Sequence, residues 1–200
     1  MVNSKPSRRH VLILPGVVLL VACPVASQQV GRVEAFFGYA FARVDAAGRV
    51  PAFNANGGNA QFLYNFRPWF GLAADFGGYY SGNISTFHSD TTLVNFQFGP
   101  RFSWHKRRTV SPYAQALFGG AYAASTRNLA LDPPISGSAS GLAMLVGGGV
   151  DIRLAHHVSV RPAEVDYWLT RLRDPFAANA RTQNSLRYSA GIIFKFGRVD

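Results

Sequence analysis

The stretch Leu186–Phe196 reads LRYSAGIIFKF, and its alternation decides the fold class. One set of alternate positions is apolar and partly aromatic: Leu186, Tyr188, Ala190, Ile192, Phe194 and Phe196. The other set is charged, polar or small apart from one isoleucine: Arg187, Ser189, Gly191, Ile193 and Lys195. A period of two residues predicts a β-strand whose two faces lie in different surroundings.

Seven further segments share this alternating or glycine-rich apolar character. Together the eight segments predict strands at Val33–Val44, Asn59–Phe66, Trp69–Tyr80, Thr91–Ser103, Ser111–Ala123, Gly141–Arg153, Val158–Thr170 and Ser185–Phe196. Most of them are close to the ~9–11 residues that a tilted strand needs to cross a bilayer. No segment of comparable length carries a sustained helical period, so the chain is predicted to be all-β.

The connections between the predicted strands alternate in length. The long connections are Asp45–Gly58, Ser81–Asp90, Ala124–Ser140 and Arg171–Asn184, and the shorter ones are Arg67-Pro68, Trp104–Val110 and Leu154–His157. Transmembrane barrels have short periplasmic turns and long outer loops. This alternation of long and short connections therefore predicts an eight-stranded antiparallel up-and-down transmembrane β-barrel with both termini on the periplasmic side.

Composition favours a membrane barrel over a soluble one. Charged residues make up 15% of the chain, below the ~25% typical of soluble domains. The polar faces hold mainly small and amide residues, which suit a narrow lumen. Aromatic residues of the apolar face gather near strand ends, as in the interfacial girdles of outer-membrane barrels: Tyr39, Phe41, Tyr64, Phe66, Trp69, Phe70, Tyr79 and Tyr80. A soluble lipocalin-like barrel is the alternative for the same alternation.

The first 27 residues have the layout of a signal peptide, so residues 28–200 are predicted to form the barrel domain. The stretch Val11–Cys23 is apolar but shorter than a membrane-spanning helix, and small residues follow it. Its basic start comprises Lys5, Arg8 and Arg9.

Two processing sites remain open. Val25-Ala26-Ser27 fits an ordinary signal peptidase, whereas Leu20–Cys23 fits a lipobox that would place a lipid on Cys23. Cleavage after Ser27 would leave no cysteine in the mature chain, which would exclude disulfides and cysteine-bound metals.

Ten charged residues are predicted to point into the lumen. The acids are Glu34, Asp75, Asp151, Glu164 and Asp166, and the bases are Arg101, Arg153, Arg161, Arg187 and Lys195. Buried charges must be paired to avoid a large desolvation penalty. Equal numbers of acids and bases favour a structural network that plugs the lumen, because a selective pore more often carries an excess of one sign.

Two local consequences follow from this assignment. Arg161 and Glu164 differ by three positions, so both point inward only if the strand bulges near Pro162. The last strand closes the barrel against the first, which makes Glu34 a candidate neighbour of Lys195 or Arg187.

Motifs for chemistry are weak, and we expect no enzymatic activity. His157-Val158-Ser159 resembles the His-x-Ser arrangement of lipid A deacylases of the PagL family, but no carboxylate follows at a distance that would orient the imidazole. The other histidines lack the spacing of metal ligands, so no metal or other cofactor is expected.

Charge also excludes one class of partner. The formal net charge is +10, yet the only basic run is Lys106-Arg107-Arg108, in a predicted turn. Cations that do not cluster predict no nucleic-acid partner, and the outer-membrane lipids are the natural counter-charge of an exported protein.

Six segments resemble an outer-membrane β-barrel domain family, similar in architecture to the OmpA transmembrane domain and OmpX. They are NFRPWFGLAADFGG (Asn65–Gly78), FGPRFS (Phe98–Ser103), YAQALFGGA (Tyr113–Ala121), VGGGVDIR (Val146–Arg153), VRPAEVDYWLT (Val160–Thr170) and RYSAGIIFKFG (Arg187–Gly197). The resemblance implies a barrel that the barrel-assembly machinery inserts into the bacterial outer membrane, and it implies no settled activity.

The same resemblance identifies an assembly signal in the last strand. The machinery would read Tyr188, Ile192, Phe194 and Phe196, although the chain continues past the usual terminal aromatic residue to Asp200. A structural or surface-contact role through the four long loops is expected, with no ligand identified. Narrow porin-like conductance and lipid A modification are the alternatives.

Overall fold

The computed structural model describes residues 30–45, 52–84, 89–105, 109–127, 135–173 and 180–199. The predicted signal peptide, Cys23, His88 and the basic run 106–108 lie outside the described residues. Among the described residues, no helix is long and apolar enough to cross a membrane.

The described residues form eight antiparallel strands that close into one barrel. The strands are β1 (Val33–Asp45), β2 (Phe53–Arg67), β3 (Phe70–Ile84), β4 (Ser89–Ser103), β5 (Val110–Arg127), β6 (Ile135–Arg153), β7 (Val158–Arg173) and β8 (Ala180–Phe196). Each strand pairs with its sequence neighbours, and β8 returns to pair with β1 along the whole length of β1. The predicted eight-stranded up-and-down barrel is confirmed.

The strands are longer than predicted, and the extra length lies at the ends with long connections. β2 begins at Phe53 instead of Asn59, and β6 begins at Ile135 instead of Gly141. β5 and β6 remain paired as far as Arg127 and Ile135. These segments are rich in Gly, Asn and Ser, which have low strand propensity on their own. Pairing with a neighbouring strand satisfies their backbone groups, so tertiary context overrides that propensity.

The outward face of the barrel is apolar and exposed over its middle. Phe98 is 67% exposed, and many other large apolar side chains share this position on the outer surface. In water this continuous apolar surface would drive aggregation, whereas bilayer hydrocarbon accommodates it. A closed barrel leaves no unpaired sheet edge in the lipid.

The apolar band ends at the long-connection end of the barrel. On β1, β5 and β7 the exposed residues Tyr39, Tyr122 and Tyr167 are followed on the same face by polar ones. Those polar residues are Arg43, Thr126 and Arg171. At the short-turn end, exposed Trp69 stacks on Phe102 with ring centroids 6.2 Å apart. Aromatic residues at the borders of an apolar band are typical of outer-membrane barrels.

One girdle assignment is wrong. Tyr79 points into the lumen and is 2% exposed, while Tyr80 points outward. Successive residues of a strand face opposite sides, so only one of two adjacent tyrosines can lie in the lipid.

The predicted bulge in β7 is present. Arg161 pairs with Gly191 and Glu164 pairs with Ser189, so two residues of β7, Pro162 and Ala163, oppose a single residue of β8. The bulge brings both Arg161 and Glu164 to the inner face, where each is at most 1% exposed.

Candidate functional site: the barrel interior

The barrel interior holds the polar residues that the sequence singles out. Nine of the ten predicted lumen charges are buried: Glu34, Asp75, Arg101, Asp151, Arg161, Glu164, Asp166, Arg187 and Lys195. The tenth, Arg153, is half-buried at the short-turn end of β6. The four residues of the predicted assembly signal, Tyr188, Ile192, Phe194 and Phe196, are exposed on the outer face of β8.

Arg187 is the centre of a first cluster of charges. Its guanidinium lies 2.7 Å from Asp75, 2.8 Å from Glu164 and 2.9 Å from Asp166. These contacts join β8 to β7 beside it and to β3 across the lumen. A planar guanidinium with five donors suits this arrangement, because it can serve several carboxylates at once.

Asp151 is the centre of a second cluster. It accepts hydrogen bonds from Arg101 and from Arg161, whose Nε lies 2.8 Å from its Oδ1. Arg161 also pairs with Glu164, and Glu164 pairs with Arg187. Glu164 therefore links the two clusters into one network, which we call the lumen network.

A third pair lies at the short-turn end. Glu34 and Lys195 are directly opposite each other on β1 and β8, and Lys195 Nζ lies 3.7 Å from Glu34 Oε1. Of the two neighbours expected for Glu34, Lys195 is the one present, because Arg187 lies opposite Ala42, far along β1 from Glu34. The amide of Asn65 also donates to Glu34, over 3.3 Å.

Neutral amides complete the lumen network. Gln61 accepts from Arg101 and from Arg161, each at 3.0 Å, and donates to Gln115 at 3.2 Å. Asn59 and Asn95 donate to Asp75. Sequence reasoning did not count these amides as site residues, although Asn59, Gln61, Asn95 and Gln97 occupy the same alternate positions as the charges.

Two aromatic rings cover the guanidinium groups. The Arg101 guanidinium lies 3.4 Å from the ring centroid of Tyr113, and that of Arg161 lies 4.4 Å from the centroid of Phe36. The Tyr113 hydroxyl donates to Glu164. Cation–π contacts of this kind favour a buried guanidinium whose edge is occupied by carboxylates.

A packed apolar layer lies on the other side of the lumen network, toward the long connections. On β3 the buried Tyr79 follows Asp75, and on β7 the buried Trp168 follows Asp166. The rings of Tyr79 and Trp168 are 5.5 Å apart. The layer consists of these two rings with Ala40, Ala42, Val44, Ala55, Leu93, Leu117, Ala121, Ala143 and Leu145, and the same apolar cluster extends toward the short turns through Leu63 and Ala73. We call it the apolar layer; sequence reasoning did not predict it.

The residues of the weak catalytic motif do not form a working pair. Ser159 is fully buried on the inner face, and its hydroxyl has no hydrogen-bond partner among the described residues. His157 lies exposed in the turn after β6, with Nδ1 3.1 Å from the backbone oxygen of Lys195. A buried hydroxyl offers no surface for a lipid substrate. The described residues also contain no group of three or more His, Cys, Asp or Glu that could hold a metal.

One titratable group outside the strands is perturbed. Burial lowers the pKa of His105, which follows β4, below its ordinary value of 6.5. The Glu34 carboxylate opposes this shift, and the cations Lys195, Arg101 and Arg153 add to it. A neutral imidazole is therefore favoured at this end of the lumen.

Comparison with known proteins agrees with the architecture. A family model described as outer membrane protein beta-barrel domain matches residues 13–196. No curated protein sequence matches the chain. Among solved structures, Ail, the attachment invasion locus protein of Yersinia pestis, is 21% identical, covers 82% of this chain and 99% of its own, and has a TM-score of 0.59.

Two further solved structures are similar at lower identity. Neisserial surface protein A is 17% identical, covers 82% of this chain and 97% of its own, and has a TM-score of 0.60. OprG of Pseudomonas aeruginosa is 15% identical, covers 84% and 97%, and has a TM-score of 0.53. At these identities the likeness concerns the fold alone. Because the family model spans most of the chain and the strands close into the same barrel, this chain belongs to the outer membrane protein beta-barrel domain family and is a protein of the bacterial outer membrane.

Proposed function

We propose that this protein is a closed, non-conducting barrel of the outer membrane with a structural or surface-interaction role. The observation that carries the proposal is the filling of the lumen by two successive layers, the lumen network and the apolar layer. An eight-stranded barrel has an interior just wide enough for side chains, which leaves little room for a water column.

The pairing of the lumen charges supports a plug. Arg101, Arg161 and Arg187 each form an ion pair with a carboxylate on a different strand. A permeating ion would have to displace partners from groups that are 2% exposed or less. Breaking buried pairs is strongly unfavourable, so the network opposes passage of ions.

The extension of β5 and β6 beyond the apolar band supports a role at the cell surface. Beyond the apolar band, β5 and β6 continue as a paired ribbon to Arg127 and Ile135. Its outward residues, Thr126, Ser136 and Ser138, are polar. A paired ribbon holds the long connections at a defined distance from the membrane, which suits contact with a partner outside the cell.

Catalysis is the less favoured function. Lipid A lies in the outer leaflet, whereas His157 and Ser159 lie at the short-turn end, and the Ser159 side chain is 0% exposed. A nucleophile must reach its substrate and be activated by a base in hydrogen-bond range, and neither condition is met.

Planar-bilayer recording of the purified protein tests the proposal. We expect no steady unitary currents from the wild-type barrel, and no change on replacing Arg171→Gln, an exposed arginine on the outer face of β7. Steady currents that disappear on Arg101→Gln or Arg161→Gln, but not on Arg171→Gln, would identify a pore instead. Lipid A mass shifts that require His157 would identify a lipid-modifying enzyme.

We also propose that residues 1–27 are removed on export. The mass of the protein purified from outer membranes tests this, and a chain that starts at Gln28 is expected. A lipid-modified chain that starts at Cys23 would establish the lipobox alternative.

A further inference from the structure

The two ends of the described chain meet at the short-turn end of the barrel, beyond the first residue of β1 and the last residue of β8. Val30 and Gly31 precede β1, yet both are buried, and Val30 is only 6% exposed. A segment outside the sheet at a membrane barrel's periplasmic end is normally solvated. Its burial therefore requires specific partners.

The N-terminal segment is held against β2 and β8. The backbone N–H of Asn65 donates to the backbone carbonyl of Arg32, and its side-chain amide donates to the backbone carbonyl of Gly31, each over 2.8 Å. A Cβ atom at Gly31 would lie 2.9 Å from the Cβ of Lys195. Only glycine permits so close an approach of the segment to β8.

The C-terminal tail runs beside that segment. After Phe196 the backbone bends at Gly197, whose φ of 67° lies in the left-handed region. The backbone N–H of Val199 then donates to the carbonyl of Val30 over 3.1 Å. The tail thus stays beside Val30–Arg32 in the register in which β8 pairs with β1, so the two terminal segments remain joined beyond the ends of both strands.

We propose that Val30–Arg32 and Gly197–Val199 form a terminal clasp that closes the periplasmic mouth of the lumen. The clasp lies over the Glu34–Lys195 pair, whose members are 5% and 7% exposed at the very end of the barrel. It also bridges the seam at which the sheet closes on itself. The residues after Phe196 then help to close the barrel, in addition to the proposed assembly signal on the outer face of β8.

This inference rests on the proposed closed lumen and adds a seal below the lumen network. Loss of the clasp leaves the lumen network and the apolar layer in place. A clasp variant is therefore expected to remain non-conducting, so failure of the clasp and failure of the proposed function give different results.

Labelling of Val30→Cys with a charged, membrane-impermeant maleimide tests the clasp on protein purified from outer membranes. Wild-type protein labelled in parallel gives the background. We expect slow labelling of V30C, and roughly tenfold faster labelling when Gly197→Val is added, because a β-branched residue is strongly disfavoured in the left-handed region. The matched variant Gly197→Asn also adds a side chain but tolerates that region, so V30C should stay slow beside it.

A second pair of variants acts on the hydrogen bond itself. Val199→Pro removes the N–H that donates to Val30, and it should speed V30C labelling, whereas Val199→Ala keeps the donor and should not. Heat-modifiable gel mobility checks that each variant is folded. Labelling of V30C in the otherwise wild-type barrel as fast as in the urea-unfolded chain would overturn the proposal, as would equal rates for folded V199P and V199A.

Discussion

The two layers of the lumen fill the same narrow space by different means. In the lumen network, Arg187 alone contacts three carboxylates on two strands. In the apolar layer, Leu145 and Trp168 pack without any charge, and both are at most 2% exposed. Ion pairs in a buried site depend on every member being present, because one missing partner leaves an uncompensated charge. Apolar packing depends on volume and tolerates exchange of side chains of similar size.

The lumen network specifies the arrangement of the strands, whereas the apolar layer fills the lumen. Contacts of the lumen network fix which strands face each other across the lumen, since Arg187 and Asp75 are separated by 112 positions in the chain. The apolar layer excludes water above those contacts, and the low dielectric strengthens them. Substitutions of comparable size in the two layers should therefore have unequal effects.

Arg187→Gln should have the largest effect. It leaves Asp75, Asp166 and Glu164 without their shared cation, and breaking a buried pair typically costs about 3–5 kcal/mol. Urea unfolding of the barrel in detergent micelles, followed by tryptophan fluorescence, measures the loss. Arg171→Gln on the outer face is the matched control and should change the midpoint little. An Arg187→Gln barrel as stable as this control would contradict the role assigned to the lumen network.

Leu145→Ala should come next. It removes a fully buried side chain from the apolar layer and leaves a cavity, which typically costs about 2–5 kcal/mol. Leu145→Met should cost less than about 1.5 kcal/mol, since the volume is kept. The equivalent conservative change in the other layer, Arg187→Lys, should not be tolerated in this way, because a single ammonium cannot serve the carboxylates as the guanidinium fork does. Equal tolerance of Leu145→Met and Arg187→Lys in the same unfolding assay would remove the contrast between the layers.

The sequence could predict which charges point inward but not how they pair. The period of two placed Asp75, Arg101 and Arg187 on the inner face, and they are buried there. Their partners depend on the register around the closed sheet, which no local pattern encodes. Arg153 has the alternation of a lumen residue, yet it lies at the rim because β6 ends there.

The apolar layer escaped sequence reasoning for a different reason. Leu93, Leu117 and Leu145 alternate with outward apolar residues, so both faces of these strands are apolar and the period is weak. The clustering of aromatic residues near strand ends predicts that Tyr79 faces the lipid, but its neighbour Tyr80 occupies the outward position. The predicted strands are also too short, because Gly, Asn and Ser have low strand propensity and yet the paired strands continue through them.

His105→Gln should have the smallest effect, and the effect should depend on pH. Because the folded barrel lowers the pKa of His105, the unfolded chain binds the proton more readily. The contribution of the neutral imidazole is present above the unfolded pKa of about 6.5 and is lost as the pH falls through the lower folded value. The wild-type urea midpoint should therefore fall more on acidification than that of His105→Gln. Parallel pH profiles for the two proteins would show that His105 is not the group responsible.

Unitary conductance of the wild-type barrel, recorded beside that of its Arg187→Gln and Leu145→Ala variants, tests whether the lumen is closed. Since each variant disturbs only one of the two layers, we expect all three folded proteins to give a planar-bilayer recording without current steps. Steady current steps from the wild-type protein would contradict a lumen closed by the lumen network and the apolar layer.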